Sequence, residues 1–255
     1  MDRRKALGAS LAGFAASGAA QAAAAKSPFT VAQAVVPVAA SDEVFPVRRI
    51  YCVGRNYAAH AREMGSDPKR EPPFFFQKPS DAVQFVSPAG ITEHPYPSLT
   101  KNYHHELELV AALHKGGRNV PVEQALDLVY GYAVGLDMTR RDLQRFMGEQ
   151  KKPWEIGKSF DRAAPIGPIH KLAQVGHITS GAIRLKVNGE LRQAADLKDM
   201  IWSVAEQIAH LSQAFELMPG DIIYSGTPEG VGPVLPGDIM EGTIAGLPPL
   251  LVKVV

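Results

Sequence analysis

The ten residues HHELELVAAL, at positions 104–113, alternate between acidic and aliphatic side chains before they end in an apolar run. Alternation with a period of two is typical of a β-strand that has one face in the protein core. We therefore expect Leu107 and Leu109 to share one face of the strand, and Glu106 and Glu108 to share the other. This segment predicts a strand that carries two neighbouring carboxylates.

Further strands are predicted on both sides of this segment. The sequence IRLKVNGELRQ, at 183–193, predicts a β-hairpin because Asn188 and Gly189 suit a type I′ turn between two alternating strands. Three more apolar segments are predicted as strands: VRRIYCVG (47–54), VYGYAVGLDM (129–138) and DIIYSGT (221–227).

The predicted helices are few and short. Alanines favour a helix over residues 56–65, which ends at a glycine. The patterns at 139–142 and 203–206 resemble capping boxes, each of which would begin another helix. Because strands dominate and do not alternate regularly with helices, we expect an α+β fold and not a doubly wound parallel sheet.

The first 26 of the 255 residues differ in composition from the rest. A charged start with adjacent Arg3 and Arg4, small apolar residues and an alanine-rich end are similar to a twin-arginine secretory signal. Residues 1–26 are therefore either an export leader, which would make the protein periplasmic, or a disordered extension of a cytoplasmic protein. In both interpretations residues 27–255 are predicted to form a single domain.

The composition excludes several kinds of partner and site. A formal net charge of +1 gives no reason to expect nucleic acid or an anionic membrane as a partner. Residues 1–26 contain too few large apolar side chains for a membrane span. Cys52 is the only cysteine, so an intrachain disulfide and a cysteine-based zinc or iron–sulfur site are excluded.

Three carboxylates are candidate metal ligands. Glu106 and Glu108 project from one face of a strand, where their charges repel unless a cation lies between them. Asp137 ends an apolar strand, where burial of an unpaired carboxylate would be costly. Such oxygen ligands suit Mg²⁺, Mn²⁺ or Ca²⁺. The spacing is also compatible with two solvated glutamates and an aspartate that only starts a turn.

Two further pairs have the i, i+3 spacing of neighbours on a helix. In the first pair, Glu63 would fix the tautomer of His60 and raise its basicity, although an ordinary exposed pair has the same spacing. In the second, Arg141 and Gln144 lie near the start of a predicted helix, where a guanidinium group suits a carboxylate.

Lys78 and Lys158 both have apolar neighbours in the sequence. This is typical of a functional amine or of a lysine that buries only its aliphatic stem. The aromatic run 74–76, just before Lys78, is assigned to the core, with a substrate pocket as the alternative.

Seven ordered blocks, which together span roughly residues 48 to 242, resemble the fumarylacetoacetate hydrolase family, and within it the acylpyruvate and fumarylpyruvate hydrolases. The blocks are YCVGRNYAAHAREMG, PPFFFQKPSDAV, YHHELELVAAL, GYAVGLDMTRRDLQ, KPWEIGKSFDRAAPIGP, LKVNGELRQ and IIYSGTPEGVGPVLPGD. The resemblance implies a strand-rich β-roll or barrel-like fold, a homodimer and a small dioxo acid as substrate.

The resemblance also implies a role for each candidate residue. The implied metal ligands are Glu106, Glu108 and Asp137. The implied water-activating pair is His60 and Glu63, and Lys158 is implied to lie near the metal and the oxyanion. The implied substrate-binding residues are Arg141, Gln144, Thr227 and Lys78.

The implied reaction is hydrolysis of a carbon–carbon bond in a 2,4-dioxo acid with Mg²⁺ or Mn²⁺. Fumarylpyruvate is the first choice of substrate and acetylpyruvate the second. Oxaloacetate decarboxylases and muconate-type isomerases resemble the same family and are the alternative, and a binding protein without activity is a third reading. The His60–Glu63 pair favours the hydrolase.

Overall fold

The computed structural model describes residues 27–65 and 71–255. The chain divides into two compact units, Met1–Ala32 and Gln33–Val255, and the second unit contains all the helices and strands described below. The predicted leader, residues 1–26, lies outside the described residues. Within the described ranges, no helix has the length and apolar character needed to cross a membrane.

Strands account for most of the regular structure of the second unit. They are β1 Val35–Pro37, β2 Val44–Pro46, β3 Arg49–Gly54, β4 Phe74–Lys78, β5 Val83–Phe85, β6 Thr92–His94, β7 Tyr103–His105, β8 Leu107–Leu113, β9 Val129–Leu136, β10 Thr139–Arg140, β11 Ala164–Ile166, β12 His170–Lys171, β13 Ala182–Val187, β14 Glu190–Asp196, β15 Asp221–Tyr224, β16 Gly232–Pro233, β17 Ile239–Ile244 and β18 Leu250–Val254. The α-helices are α1 Ala58–Glu63, α2 Val122–Ala125, α3 Arg141–Glu149, α4 Glu155–Lys158, α5 Leu172–Val175 and α6 Val204–Ala214.

The strands form mixed sheets. The largest has the order β4-β3-β15-β8-β9-β11-β5, with β12 also paired to β9. Its β3–β15 and β5–β11 pairs are parallel and its other pairs are antiparallel. A five-stranded sheet, β14-β13-β17-β18-β6, contacts it through β8 and β9. With many strands and short helices, the predicted α+β fold is confirmed.

Two local predictions are confirmed by the backbone and its hydrogen bonds. Asn188 and Gly189 both have positive φ, 51° and 82°, as a type I′ turn requires, and they join β13 to β14. Ser203 begins α6 with a capping box, in which its side chain accepts from the backbone of Glu206 and the Glu206 side chain accepts in return.

The capping box predicted at 139–142 is wrong. Thr139 belongs to β10, pairs with His104 of β7 and donates its hydroxyl to the carbonyl of Asp137. Asp142 instead accepts hydrogen bonds from Thr100 and from the backbone of Lys101. The helix therefore begins at Arg141, one residue later than a Thr139 cap would place it, because tertiary contacts use both side chains elsewhere.

The decisive segment 104–113 is not one strand but two. β7 ends at His105 and pairs within a three-stranded sheet, β10-β7-β16, whereas β8 begins at Leu107 and lies in the largest sheet. Glu106 is the residue at which the chain passes from one sheet to the other. All seven residues of β8 are buried, and the five-stranded sheet covers the face that carries Leu107.

Acid is expected to weaken the fold through His94, at the end of β6. Its Nδ1 lies 2.5 Å from Gln84 Oε1 and its Nε2 lies 2.5 Å from the Tyr103 hydroxyl. Burial, with a smaller effect of Arg162, lowers the pKa of His94 to about 4. The unfolded chain, with a histidine pKa of about 6.5, therefore binds a proton first as the pH falls. The stabilising contribution is complete above pH 6.5 and is lost as the pH falls towards 4, at a cost of about 3 kcal/mol.

Urea unfolding at pH 7 and pH 4.5 checks this expectation. The His94→Gln variant should lose less stability between the two pH values than the wild type, whereas His114→Gln, at an exposed position, should lose as much as the wild type. Equal losses in all three proteins would show that His94 is not the responsible group.

Candidate active site and metal centre

Glu106, Glu108 and Asp137 meet at the point where the chain leaves the largest sheet. Leu107 pairs with Leu136 across β8 and β9, so Glu106 and Asp137 lie opposite each other just beyond the paired residues. The Asp137 N–H donates to the Glu106 carbonyl at 2.8 Å. One carboxylate oxygen from each residue lies within 4.8 Å of the others, and all three residues are buried. The alternative of solvated glutamates is therefore excluded.

Three buried cationic side chains surround this acidic triad. Lys158 Nζ donates to Glu106 Oε2 at 2.7 Å and to Asp137 Oδ2 at 2.8 Å. Arg141 donates to Glu106 Oε1, and Lys78 Nζ lies 2.8 Å from Asp137 Oδ1. Burial raises the pKa of Glu106, but Lys158 and Arg141 outweigh it and hold that pKa below its usual value. Glu106 is therefore ionised.

Glu108 has a different environment from Glu106. It accepts a hydrogen bond from the Gly226 N–H at 2.8 Å, and among the described residues it has no ion-pair partner. Burial, and then the charges of Asp137 and Glu106, raise the pKa of Glu108 well above its usual value. A divalent cation beside it would offset that repulsion, and three carboxylates are the donors that Mg²⁺, Mn²⁺ or Ca²⁺ prefers. The residues present therefore fit such an ion.

The His60–Glu63 pair on α1 is not an ordinary exposed pair. His60 is buried, and its Nδ1 lies 3.1 Å from Glu63 Oε2. The Gly230 N–H donates to both oxygens of Glu63, at 3.1 and 3.2 Å, which fixes that carboxylate against the loop after β15. The contact assigns the N–H of the imidazole to Nδ1 and leaves Nε2 as the basic nitrogen.

A cavity of about 330 Å³ brings the site together. Eight of the ten predicted site residues line it: His60, Glu106, Glu108, Asp137, Arg141, Gln144, Lys158 and Thr227. Glu63 lies outside the lining but contacts His60. Segments that are far apart in the sequence therefore line one cavity. It contains the three candidate metal ligands, the imidazole of His60 and the cationic side chains of Arg141 and Lys158.

One wall of this cavity is aromatic. Phe74 and Phe76 line it beside Trp154, with ring centroids 5.8 and 6.4 Å from that of Trp154. Phe75 packs against the core, as Phe76 also does. The assignment of the run 74–76 to the core therefore holds for Phe75 and is wrong for Phe74, which is exposed, whereas Phe76 both packs against the core and lines the cavity.

Comparison with known proteins identifies the family. The model of the fumarylacetoacetate (FAA) hydrolase C-terminal family matches residues 49–255. The chain belongs to this family. The predicted family membership is thus confirmed.

Relatives that this chain resembles are named for different enzyme activities. A fumarylpyruvate hydrolase from Ralstonia sp is 44% identical over 181 residues, which are 71% of this chain and 92% of the relative. A human mitochondrial oxaloacetate tautomerase is 42% identical over 207 residues, 81% of this chain and 91% of the relative.

A solved structure from the family is similar over nearly its whole length. The crystal structure of fumarylpyruvate hydrolase from Pseudomonas aeruginosa in complex with Mn²⁺ and pyruvate is 58% identical, with a TM-score of 0.89 over 90% of this chain and 99% of that one. This similarity confirms the predicted strand-rich family fold.

Lys78 does not occupy the position that was predicted for it. It does not line the cavity; its Nζ is buried behind Asp137 and donates to the carbonyls of Met138, at 3.2 Å, and Lys158, at 2.5 Å. We therefore correct Lys78 from a substrate ligand to a residue that positions Asp137 and the backbone at Lys158. Phe76 and Lys78 are two residues apart and share one side of β4, but the Lys78 amine ends against Asp137 and does not line the cavity.

Gln193 is a supporting residue that the sequence analysis missed. It is fully buried in β14, donates to Thr227 Oγ1 and to the Pro228 carbonyl at 2.8 Å each, and accepts from the Leu107 N–H at 3.0 Å. It therefore joins Thr227, on the cavity wall, to the start of β8. The available signal was a polar residue at an inward position of a predicted strand.

Gly226→Ala is expected to damage the metal centre from the loop that follows β15. Gly226 has φ +96°, and an added Cβ would lie 2.5 Å from Asn56 Cβ. The loop must shift to relieve this contact, which removes the N–H from Glu108. We expect about tenfold weaker Mn²⁺ binding by calorimetry and about 2 kcal/mol lower stability in urea unfolding.

Gly90→Ala provides the matched control, since an added Cβ there meets nothing within 4 Å. It should leave both quantities unchanged. Wild-type Mn²⁺ affinity in Gly226→Ala would contradict the role given to this amide.

Proposed function

We propose that this protein is a divalent-metal-dependent hydrolase that cleaves the carbon–carbon bond of a 2,4-dioxo acid. One observation carries the proposal: a buried, carboxylate-oriented imidazole, His60, lines the same cavity as the acidic triad and Lys158. The cavity therefore combines a base for water with groups that can stabilise an anionic leaving group. The names of the relatives support the same chemistry.

The acidic triad is proposed to hold the metal ion. Mg²⁺ and Mn²⁺ are both proposed, and Ca²⁺ has compatible ligand chemistry; the solved Pseudomonas aeruginosa relative is in complex with Mn²⁺. When bound, such an ion supplies the positive charge that makes an enolate an acceptable leaving group.

Substrate positioning is assigned to Arg141 and Gln144 at the start of α3. The Arg141 guanidinium donates to Gln144 Oε1 at 2.5 Å and to Glu106, so its orientation is fixed before a substrate arrives. Its remaining donor capacity suits the carboxylate of a 2-oxo acid, and Gln144 offers an amide to a carbonyl oxygen. Thr227 completes this wall.

The chemical step then follows from His60. Its Nε2 takes a proton from water, and the resulting hydroxide attacks the carbonyl carbon distal to the substrate carboxylate. The bond between that carbon and the pyruvate carbon breaks, and its electron pair remains on the pyruvate fragment as an enolate. The ammonium of Lys158 offsets the new negative charge, and a proton returned to the enolate carbon completes pyruvate.

The first-choice substrate is fumarylpyruvate, with acetylpyruvate second. Purified protein with Mn²⁺ should be incubated separately with fumarylpyruvate, acetylpyruvate and oxaloacetate, while the diketone absorbance and the pyruvate formed are measured together. Loss of the diketone with an equal amount of pyruvate is expected. Absence of pyruvate from both dioxo acids would overturn the proposal.

A second candidate function uses the same site on oxaloacetate. The human relative is named an oxaloacetate tautomerase, and tautomerisation or decarboxylation needs a polarised 2-oxo acid but no attack by water. Conversion of oxaloacetate between enol and keto forms, or CO₂ release from it, without cleavage of the dioxo acids would favour this candidate. The homodimer implied by the resemblance stays a prediction that light scattering can test.

A further inference from the structure

One face of α3 forms a continuous side of the cavity. Arg141, Gln144, Arg145 and Gly148 all line it, at the i, i+3, i+4 and i+7 positions that share one side of a helix. Exposure increases along this face: Arg141 is buried, Gln144 is half-buried, and Arg145 is exposed. The helix therefore runs from the metal centre outwards, and Arg145 lies one turn nearer the mouth.

The two arginines on this face differ in what they contact. Arg141 is bonded to Glu106 and Gln144. For Arg145, no carboxylate lies within ion-pair distance anywhere in residues 27–65 and 71–255. A guanidinium that lines a cavity without a carboxylate partner is available to an anionic group of a ligand.

The spacing of the two arginines matches the length of a dioxo acid with a carboxylate at each end. A helix rises about 6 Å over four residues. Three bonds of an extended chain span about 3.6 Å at most, so the six bonds between the end carboxyl carbons of a seven-carbon dioxo acid span about 7 Å. With one carboxylate at Arg141, the other reaches the level of Arg145.

Two aromatic side chains of the outer cavity suit the carbon chain between these carboxylates, while Glu149, one turn beyond Arg145, also belongs to the lining. Phe74 and Trp154 provide flat apolar surfaces there. Such surfaces favour an unsaturated acyl chain by contact, but they cannot satisfy a charge. A terminal carboxylate in this space therefore needs a cationic partner.

We infer that Arg145 binds the terminal carboxylate of a dicarboxylic acyl group and so makes the cavity selective for dioxo acids that carry a carboxylate at each end. This inference rests on the proposed hydrolase function. In this inference Arg145 determines whether fumarylpyruvate or acetylpyruvate is the better substrate. Arg145 is a specificity residue and takes no part in bond cleavage.

The test is the ratio of kcat/KM for fumarylpyruvate to kcat/KM for acetylpyruvate, measured with Mn²⁺. Arg145→Gln should lower this ratio by about tenfold to a hundredfold, the value of one charge-assisted hydrogen bond, mainly through KM for fumarylpyruvate. Arg145→Lys should recover part of the loss. Fumarate should also inhibit the Arg145→Gln variant less strongly than the wild type.

Two arginine variants serve as controls. Arg118→Gln removes the same charge from an exposed ion pair with Glu216, outside the cavity lining, and should keep the wild-type ratio. Arg55 also lines the cavity, with its guanidinium carbon 5.6 Å from the centroid of the Phe74 ring. A lowered ratio in Arg55→Gln but not in Arg145→Gln would overturn the assignment.

The outcomes separate this inference from the function on which it rests. If the wild type releases pyruvate from both substrates and Arg145→Gln leaves the ratio unchanged, the hydrolase proposal stands and the role of Arg145 is refuted. If the wild type releases pyruvate from neither substrate, the hydrolase proposal itself is refuted and the role of Arg145 with it.

Discussion

Treatment of the wild-type protein with EDTA is expected to lower pyruvate release from a dioxo acid by at least about 10³-fold, more than the loss of a single hydrogen-bond donor to a developing anion. The reason lies in the three buried carboxylates. Without a divalent cation, Glu108 is held next to Asp137 and Glu106 with its pKa raised well above the usual value. The enolate formed by bond cleavage then loses its main source of charge stabilisation. Added Mn²⁺ or Mg²⁺ in excess over the chelator should restore the rate.

A pair of aspartate variants locates this effect at the triad. Asp137→Asn should lose both Mn²⁺ binding and activity, whereas Asp127→Asn, at an exposed position, should keep both. Because Asp137 also balances two buried lysines, the unfolding of each variant has to be measured with its activity. Full activity of wild-type protein after removal of all bound metal would refute the metal-dependent mechanism.

His60→Gln is expected to lower kcat by about 10²- to 10⁴-fold, the usual contribution of a general base. Glutamine retains a polar side chain of moderate size but cannot take a proton from water. Mn²⁺ affinity should stay within a small factor of the wild-type value, because His60 is not among the three grouped metal ligands. Stopped assays of pyruvate, together with calorimetric titration of Mn²⁺, separate the two effects.

Two further variants make this result specific. Glu63→Gln should have a smaller effect on kcat than His60→Gln, since its amide can still contact the ring at Nδ1 but no longer stabilises a positive imidazolium. His114→Gln, at an exposed position, should have wild-type kcat. A His60→Gln variant with wild-type kcat on dioxo acids would show that another group activates water.

The segment around Glu106 shows which structural features side-chain periodicity can predict and which it cannot. Alternation placed Glu106 and Glu108 on a common side and Leu107 and Leu109 in the core, and all four are buried as a metal site and core require. It could not show that the chain changes sheets at Glu106. That change depends on the strands that pair with β7 and β8, and one of these partners, Pro233, is 129 positions (233 − 104) from His104.

Lys78 and Phe76 show the opposite case. Both belong to β4 and share one side of it, so alternation cannot separate a side chain that lines the cavity from one that contacts the acidic triad. Contacts with other segments decide this: Phe76 lines the cavity, whereas the Lys78 amine contacts Asp137 and the carbonyls of Met138 and Lys158. Family resemblance predicted Lys78 near the site as a substrate-binding residue, but not its contact with Asp137.

Neighbours along the chain were enough to predict the type I′ turn at Asn188, the capping box of α6 and the strand-rich class, and their spacing made a contact between His60 and Glu63 feasible. These follow from backbone conformation, hydrogen bonds and side-chain periods that span a few residues. The tertiary structure alone decided which side chains share the cavity, why Thr139 does not cap α3, and how Gln193 supports Thr227. Those outcomes depend on sheet order and on contacts between distant segments, and local preferences do not encode either one.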